Sequence, residues 1–377
     1  MVYYFGFYIS DKDKEKYKGN TPGNLKMHYV VEQLKESGFN PAIVSLASRR
    51  SDSLGFYPKE RSESQGCNLS YLGSISGKGY FWARLNMIYK KLQFVWMMMS
   101  VVKRKDTVIL YHSTEYTKLM AQLKRFITRK VIIEVEEIYG YSAVADKPWV
   151  NEEIANIKKM DLHICVNEGI PQDLGLKEGN FVVSYGVGII PKRRINRFDD
   201  GKTHVVYAGT IEMKKRGALT AIDAGQLLPE NYVLHILGFG SNENIKLLQE
   251  KIEEINNDLG RIQIEYNGFK SGQDLDDFLF KCHIGLSSNV MRPNFANNSF
   301  PSKVITYMCH DLSVVLGYAK AFFDVPMSKG WVFYHEYTPE KIAEAITMAK
   351  VVPVGYYHSS ITDMNNNLQE FFKTNCQ

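Results

Sequence analysis

Short apolar runs alternate with amphipathic helical segments along most of this 377-residue chain. The alternation occurs in two series, and residues 186–202, which are polar and basic and contain Gly and Pro, separate them. Strands that alternate with helices predict a parallel sheet with helices on both faces. A chain of this length is also long for a single hydrophobic core. We therefore predict an α/β protein with two Rossmann-like domains and a helical tail.

We place the first domain at residues 1–188, a linker at 189–202, the second domain at 203–352 and the helical tail at 353–377. The apolar runs predict strands at residues 2–9, 41–46, 68–72, 107–111, 131–135, 162–166, 181–185, 204–208, 232–237, 262–266, 284–287 and 312–317. Helical periodicity predicts helices at 25–37, 80–105, 116–126, 152–159, 219–228, 243–255, 275–280 and 355–376, with another beginning near Ser302. Residues 48–79 are predicted to be a long loop region around the strand at 68–72.

The composition is that of an ordinary globular protein, with 45% hydrophobic and 23% charged residues. The five cysteines are scattered and form no CxxC pair, which predicts a reducing compartment and no structural zinc. The chain opens on an apolar strand without the pattern of a signal peptide. The most apolar run, residues 92–102, is shorter than the roughly 20 residues that span a bilayer. We expect a cytoplasmic protein without a transmembrane helix.

Positive charge is concentrated in one part of the chain. Residues 80–130 contain 11 Lys and Arg against two acids, whereas the whole chain has a net charge of only +5. This asymmetry predicts an anionic partner for the first domain, such as a lipid-linked phosphate or the inner face of a membrane. No motif supports a nucleic acid. The segment 80–105 is interpreted either as a basic, aromatic helix at a membrane surface or as a buried crossover helix with basic ends.

The stretch Asn297–Val315 carries the most specific pattern, NNSFPSKVITYMCHDLSVV. Pro301 suits the first turn of a helix, and Ser302 is a good capping residue. A helix start offers unpaired N–H groups and the positive end of the helix dipole, and Lys303 adds a full charge. The stretch therefore predicts an anion site between a polar loop and a buried strand.

The same stretch resembles the donor-binding segment of GT-B glycosyltransferases, particularly retaining family-four-like enzymes. The matching residues are 301–303, 306–308 and 313–315. Thr306 replaces the family's helix glutamate, and the first acid of its Glu-x7-Glu pair falls near Asn298. The resemblance implies two Rossmann-like domains that face each other across a cleft, with a C-terminal helix that crosses back to the first domain.

In the second domain, Gly209 allows a ligand to approach the backbone closely. Lys215 and Arg216 are predicted to clamp a diphosphate, although a solvated basic turn is the alternative. Phe269 is expected either to stack on a base or to pack on a helix. The catalytic candidates are Lys215, Arg216 and Lys303, and the donor-binding candidates are Gly209, Thr210, Gly238, Phe269, Lys270, Ser288, Asn298, Ser299, Ser302 and Thr306.

His112 and Glu136 are acceptor-side candidates, because ligands of parallel sheets lie at the carboxyl ends of strands. Gly23 is a third candidate, because the resemblance implies that its turn lies near the cleft and the acceptor. A structural role is the alternative for His112, and solvation or pairing with the basic segment is the alternative for Glu136. The acidic pairs 199–200 and 276–277 are interpreted as solvated charges, so we predict no metal and no cofactor.

These features predict a metal-independent glycosyltransferase that moves a sugar from a nucleotide-diphosphate donor to a glycan or lipid-linked glycan, in surface polysaccharide synthesis. The resemblance implies retention of configuration, and in such a transfer the leaving phosphate can accept the acceptor's proton, so that no separate base is required. If the reaction inverts, His112 or Glu136 is the first choice of base. The alternatives are a non-catalytic accessory subunit of a transferase and a nucleotide-sugar 2-epimerase.

Overall fold

The computed structural model describes residues 1–19, 21–127, 129–141, 146–212, 216–288 and 293–376. The chain divides into two compact units. Unit 1 contains Met1–Val187 together with Met364–Gln377, and unit 2 contains Gly188–Asp363. Residues 189–202, predicted to be a linker, therefore belong to unit 2.

Unit 1 is built on a mainly parallel sheet. Its strands are β1 (Val2–Gly6), β2 (Tyr17–Lys18), β3 (Ala42–Ser45), β4 (Ser48–Arg49), β5 (Gly55–Tyr57), β6 (Glu60–Ser64), β7 (Cys67–Tyr71), β8 (Ser74–Ser76), β9 (Thr107–Tyr111), β10 (Lys130–Val135), β11 (Leu162–Cys165) and β12 (Phe181–Val183). Its helices within residues 1–187 are α1 (Thr21–Glu36), α2 (Tyr80–Trp96), α3 (Thr114–Leu123), α4 (Val150–Ile157) and α5 (Gly169–Leu174). A turn of π-helix, Met97–Val101, follows α2.

The order of the main sheet of unit 1 is β12-β11-β10-β9-β1-β3-β7-β6. Its strands are parallel except β6, which pairs antiparallel with β7. The central strands are apolar on both faces, as helices on both sides of a sheet require. The order reverses between β1 and β9, and ligands of such sheets bind outside the carboxyl ends of the strands at this switch point.

The prediction of a loop region over residues 48–79 is wrong, because this range contains the strands β4, β5, β6 and β8 in addition to β7. The strand β6 reads ERSES and alternates between half-buried and exposed positions. It carries no apolar residue, so hydrophobic periodicity could not reveal it. The strand is stabilised instead by backbone hydrogen bonds to its antiparallel neighbour β7.

Unit 2 is built on a sheet that is parallel throughout. Its strands are β13 (Thr203–Ile211), β14 (Tyr232–Gly240), β15 (Ile264–Tyr266), β16 (Ile284–Ser287), β17 (Ser313–Gly317) and β18 (Val332–Tyr334). Its helices are α6 (Gly217–Gly225), α7 (Asn242–Leu259), α8 (Gln273–Lys281), α9 (Pro293–Asn297), α10 (Lys303–Cys309), α11 (Lys320–Phe323) and α12 (Pro339–Met348). The last helix, α13 (His358–Asn375), begins in this unit.

The sheet of unit 2 has the order β15-β14-β13-β16-β17-β18. Numbered within the unit this is 3-2-1-4-5-6, the Rossmann order, with its switch point between β13 and β16. The core between the sheet and its helices contains side chains such as Val205, Ile222 and Leu234. The last part of α13, from Met364 onward, groups with unit 1, as expected for a helix that crosses back.

No helix in the described part of the chain combines the length and the apolar character that a membrane span needs.

Candidate functional site

The carboxyl end of β13 lies beside that of β14, and glycines pair there. Gly209 and Gly238 occupy the same register of the two strands. A Cβ atom on Gly238 would lie 1.9 Å from the carbonyl oxygen of Gly209, so a side chain cannot be accommodated at this position. A Cβ atom on Gly209 would lie 3.0 Å from Nζ of Lys303. The glycines therefore leave bare backbone next to a lysine ammonium.

Lys303 is the first residue of α10 and is partly buried. Its Nζ lies 4.1 Å from the centroid of the Tyr207 ring. Burial lowers the pKa of this ammonium to about 7. Among the residues that the structure describes, no carboxylate lies within ion-pair distance of Nζ. A desolvated cation without an acid beside it is suited to binding an anionic ligand.

The helix start itself differs from the prediction. Ser302 stands at the N-cap position, but its backbone is already helical and its side chain makes no capping hydrogen bond. It is exposed, whereas Thr306 one turn later is half-buried. The carbonyl of Thr306 lies 2.7 Å from Nδ1 of His310. Both hydroxyl side chains remain candidates for the donor site by position alone.

The polar loop predicted before α10 is present but begins one residue later than expected, because Asn297 is the last residue of a short helix, α9, and Asn298 and Ser299 lie between α9 and α10. Asn298 is only 1% exposed, and its Nδ2 donates to the carbonyl of Asn294 at 3.0 Å. Ser299 is also buried, and its Oγ donates to the carbonyl of Phe295 at 2.7 Å. These polar side chains therefore fix the backbone of α9.

The basic turn after β13 is partly described. Lys215 lies outside the described residues. Arg216 is exposed, has a left-handed backbone with φ of 54°, and precedes α6. Thr210, on β13, is half-buried. Ser288 is buried, and its Oγ donates to the carbonyl of Gly217 at 2.7 Å, which fastens the end of β16 to the start of α6.

Two exposed aromatic rings lie near the carboxyl ends of β14 and β15, one in the last residues of β14 and one just after β15. Phe269 is 59% exposed, and its ring lies edge-on to the ring of Phe239 at 5.3 Å between centroids. Lys270 has its Nζ 5.2 Å from the centroid of the Phe278 ring. An exposed ring can stack on a nucleotide base, so Phe239 joins Phe269 as a candidate. Sequence reasoning missed Phe239 because attention fell on its neighbour Gly238, which was singled out as a site of close backbone approach.

The carboxyl edge of unit 1 also carries close backbone approaches. A Cβ atom on Gly6, at the end of β1, would lie 2.6 Å from Sδ of Met27. A Cβ atom on Gly23, in the first turn of α1, would lie 3.0 Å from Oη of Tyr111. Gly23 therefore lies close to the last residue of β9, near the switch point between β1 and β9.

Beside these glycines, a lysine and two glutamates form a cluster. Nζ of Lys26 donates to the carbonyl of Ser184 at 2.9 Å and lies 3.6 Å from Oε1 of Glu136. Glu134 is fully buried, and its Oε2 accepts a hydrogen bond of 2.6 Å from Oη of Tyr4. Burial, with the charge of Glu136 nearby, raises the pKa of Glu134 well above its ordinary range. Burial also raises the pKa of Glu136.

The alternative that paired Glu136 with the basic segment 80–130 is wrong, because its partner Lys26 comes from α1. Sequence reasoning missed Lys26 and Glu134. The signal for Glu134 was a lone acid inside the apolar run KVIIEV. Such an acid, on a strand covered on both faces, must be buried and hydrogen-bonded or protonated.

His112 is enclosed by protein groups in this arrangement. It is 1% exposed, and its Nδ1 lies 3.2 Å from the carbonyl oxygen of Glu137. Its Nε2 lies 3.3 Å from Oε1 of Glu153. Burial lowers the pKa of His112 to about 4, so the ring is neutral near pH 7. The structure therefore favours the structural alternative over an acid or base that meets an acceptor.

Two of the acids that were predicted to be solvated bind histidines. Asp200 Oδ1 lies 3.0 Å from Nε2 of His204, and Asp276 Oδ1 lies 2.9 Å from Nε2 of His310. Within the described ranges, no group of three or more His, Cys, Asp or Glu side chains is arranged to hold a metal ion.

Solved structures share this architecture at low sequence identity. A trehalose-6-phosphate synthase from E. coli with bound UDP-2-fluoro glucose matches with a TM-score of 0.66 and 9% identity, over 100% of this chain and 96% of its own. A UDP-forming trehalose-phosphate synthase from Burkholderia xenovorans matches with a TM-score of 0.67 and 10% identity, over 99% and 96%. Anabaena Alr3699/HepE in complex with UDP matches with a TM-score of 0.59 and 9% identity, over 100% and 95%.

These neighbours have the GT-B fold with two Rossmann-like domains. This chain therefore has the GT-B fold, which confirms the fold that the Pro-Ser-Lys resemblance implied. No family model matches the chain, and no curated protein matches its sequence.

Proposed function

We propose, on the premise of the GT-B fold, that this chain is a glycosyltransferase whose unit 2 binds a nucleotide-diphosphate sugar. The observation that carries the proposal is Lys303. It is a partly buried ammonium without an acidic partner in the described part of the chain, and it adjoins the bare backbone of Gly209. A diphosphate at this position would supply the missing negative charge. The position is also next to the switch point of the sheet, where nucleotides bind to Rossmann domains.

The structural neighbours support a uridine donor. The E. coli neighbour binds UDP-2-fluoro glucose, and HepE is in complex with UDP. In this chain, the exposed rings of Phe239 and Phe269 offer stacking partners for a base beyond the strand ends. We therefore propose UDP-sugar as the donor.

The chemical step breaks the bond between the sugar and the diphosphate, and negative charge develops on the departing phosphate. Preorganised cations stabilise that charge. We propose that Lys303 does so directly and that Arg216, which is exposed at the start of α6, adds a second cation when the donor is bound. We propose that the reaction needs no metal ion.

We propose retention of configuration, with the leaving phosphate accepting the acceptor's proton. A glycan or lipid-linked glycan, made for surface polysaccharide, is the proposed acceptor. The cluster of Lys26, Glu134 and Glu136 at the carboxyl edge of unit 1, with Gly23, would bind its hydroxyl groups.

An accessory subunit remains the second candidate because of Asn298 and Thr306. Both stand where the resembled family has acids, and Asn298 is buried with its amide directed to the carbonyl of Asn294. A subunit that had lost catalysis could retain the fold and lack the acids.

The test is isothermal titration of UDP, GDP and UDP-glucose, with and without EDTA. We expect UDP-glucose to bind in EDTA and Lys303→Met to weaken binding about ten-fold or more, because a charge-assisted contact is lost. Met keeps the aliphatic packing against Tyr207. Lys320→Met is the matched control, since Lys320 is an exposed lysine of the same unit, and it should bind like the unmodified chain.

The outcomes separate the candidates. Absence of binding to every nucleotide would make the accessory subunit the better explanation. Conversion of the sugar to an isomer without any acceptor would indicate a 2-epimerase. Donor binding that is unaffected by Lys303→Met would remove Lys303 from the site.

A further inference from the structure

The helix α2 presents an apolar face to solvent. Apart from Tyr80 at the helix start, the large exposed apolar residues of α2 and of the π-helical turn after it are spaced by seven, four, four and three positions, which places them on one side of a helix. The opposite side, with Asn86, Lys90 and Phe94, is buried. The exposed residues are Phe81 (68%), Ile88 (46%), Leu92 (63%), Trp96 (58%) and Met99 (51%).

This stripe is long and continues onto the neighbouring strand β5. From Phe81 to Met99 it extends about 27 Å along the helix axis. Phe56, which is 64% exposed, comes from β5, and its ring centroid lies 5.6 Å from that of Tyr89 on α2. An exposed apolar surface of this size is typical of an interaction site.

The charged residues of α2 and of the segment that follows it are all cations, and one of them, Lys91, is paired with Glu115 of α3. Residues 80–105 contain no Asp or Glu. Arg84 and the run Lys103, Arg104 and Lys105 are exposed cations. The buried Lys90 donates to the carbonyls of Ala47 and Leu72 and so does not belong to this surface.

The positive charge of this surface indicates which partner binds to the apolar stripe. A second copy of this chain, packed through the same face, would bring the same cations together, and repulsion would oppose it. An anionic lipid bilayer offers both an apolar boundary for the stripe and phosphate groups for the cations. Each exposed Lys or Arg adds to this attraction at low ionic strength.

We propose that α2, together with residues 97–105, lies in the interface of an anionic lipid membrane. Phe81, Leu92 and Trp96 enter the boundary between headgroups and acyl chains. The cationic run 103–105 contacts lipid phosphates. This proposal goes beyond glycosyl transfer, and its tests use no donor, so it stands or fails independently of the proposed function.

The first test is flotation of the full chain with vesicles of phosphatidylcholine, alone or with about 30% phosphatidylglycerol. We expect binding to the anionic vesicles at about 50 mM salt and loss of most of it at about 500 mM. The double variant Leu92→Ser, Trp96→Ser should bind about ten-fold or more weakly, because buried apolar area sets the strength of interfacial binding. The control Leu227→Ser, Phe323→Ser changes two exposed apolar residues of unit 2 and should bind normally.

The second test concerns charge. Lys103→Glu, Arg104→Glu, Lys105→Glu should lower binding about ten-fold or more. The matched triple Lys158→Glu, Lys177→Glu, Lys329→Glu alters exposed lysines elsewhere and changes the net charge by the same amount. It should retain most of the binding. Equal loss in both triples would show that net charge, and not this surface, controls binding.

A measurement on the bound protein keeps the test independent of variant folding. Trp96 fluorescence should shift to the blue on addition of anionic vesicles, and Trp96→Phe should lose that part of the shift. The proposal is overturned if the unmodified chain does not bind anionic vesicles in low salt. It is also overturned if the Leu92, Trp96 variant binds them equally well, or if the chain forms a dimer that this variant abolishes.

Discussion

At the scale of single residues, the most informative group is the ammonium of Lys303. It lies against the ring of Tyr207, and burial lowers its pKa to about 7. Near neutral pH the unliganded protein therefore contains both charged and neutral lysine. A bound diphosphate favours the charged form. Donor binding should consequently take up a proton.

We expect affinity for UDP-glucose to decrease as the pH rises above about 7. Below that pH the lysine is already charged, so affinity is constant; above it, binding must add a proton, and Kd rises by up to about ten-fold per pH unit. Titration calorimetry between about pH 6 and 8.5 measures this slope. Lys303→Met should bind weakly with a flat profile, and a slope that persists in this variant would assign the proton to another group.

Glu134 gives a second prediction, which concerns stability. Its pKa is raised in the folded state by burial and by Glu136, whereas the unfolded carboxyl ionises near 4.5. The folded state therefore holds more protons above about pH 4.5, and this group's contribution to stability is lost as the pH rises through the raised pKa. Glu134→Gln, which can still accept from Tyr4, should show a smaller loss of unfolding free energy between about pH 5 and 9.

Urea denaturation at several pH values measures this difference. Glu63→Gln, at an exposed position on β6, is the control and should follow the unmodified chain. If Glu134→Gln follows it as well, the carboxyl of Glu134 does not titrate as the structure indicates.

At the scale of elements, β13 and β14 are joined through facing glycines, and these two positions should respond differently to substitution. Gly238→Ala places Cβ 1.9 Å from a backbone oxygen of β13, so the strands must separate. For Gly209→Ala the nearest atoms belong to side chains, Nζ of Lys303 and Oη of Tyr207, both at 3.0 Å, and Cζ of Tyr207 at 3.3 Å.

We expect Gly238→Ala to lower the melting temperature by several degrees, because overpacking against rigid backbone costs about 1–3 kcal/mol or more. Gly209→Ala should keep the melting temperature and weaken donor binding, since it displaces the lysine. Thermal unfolding and titration of UDP-glucose on both variants provide the test. A stable Gly238→Ala, or a Gly209→Ala that binds normally, would contradict the geometry.

The elements also show what the sequence could predict. Strands such as β9 and β10 were found because burial on both faces makes them continuous apolar runs, whereas the polar β6 gave no such signal. The Pro-Ser-Lys stretch predicted the fold and the place of Lys303. Two contacts could not be predicted from the sequence: that of the Lys303 ammonium with the Tyr207 ring, and that of Lys26 with Glu136. In both, the two residues are distant in the sequence and meet only in the folded chain.

At the scale of the whole molecule, the last part of α13 completes unit 1, although it follows unit 2 in the chain. Leu368 and Phe372 are fully buried. Oη of Tyr29 donates to Oδ1 of Asn365 at 2.7 Å, and Nε2 of Gln369 donates to Oε1 of Gln33 at 2.9 Å. These contacts make α13 part of the first sheet's helical cover.

We expect Leu368→Ala to destabilise unit 1 selectively, by about 2–5 kcal/mol, because it leaves a cavity against α1 and its neighbours. Hydrogen exchange should accelerate in β1 and β3 and change little in β13 and β14. Ile342→Ala, at a fully buried position of α12, is the matched control and should show the opposite pattern. Faster exchange in unit 2 with Leu368→Ala would place the helix in the other core.

This arrangement has a consequence during synthesis. Translation proceeds from the N-terminus, so the residues from Met364 onward are made after every residue of unit 2. During translation, the surface of unit 1 that α13 covers therefore stays exposed until these residues have been made. Unit 2 contains no residue after Asp363, so it does not depend on them. The half of the molecule that is made first is thus the half that is finished last, and its exposed surface during that interval is where chaperones would be expected to bind.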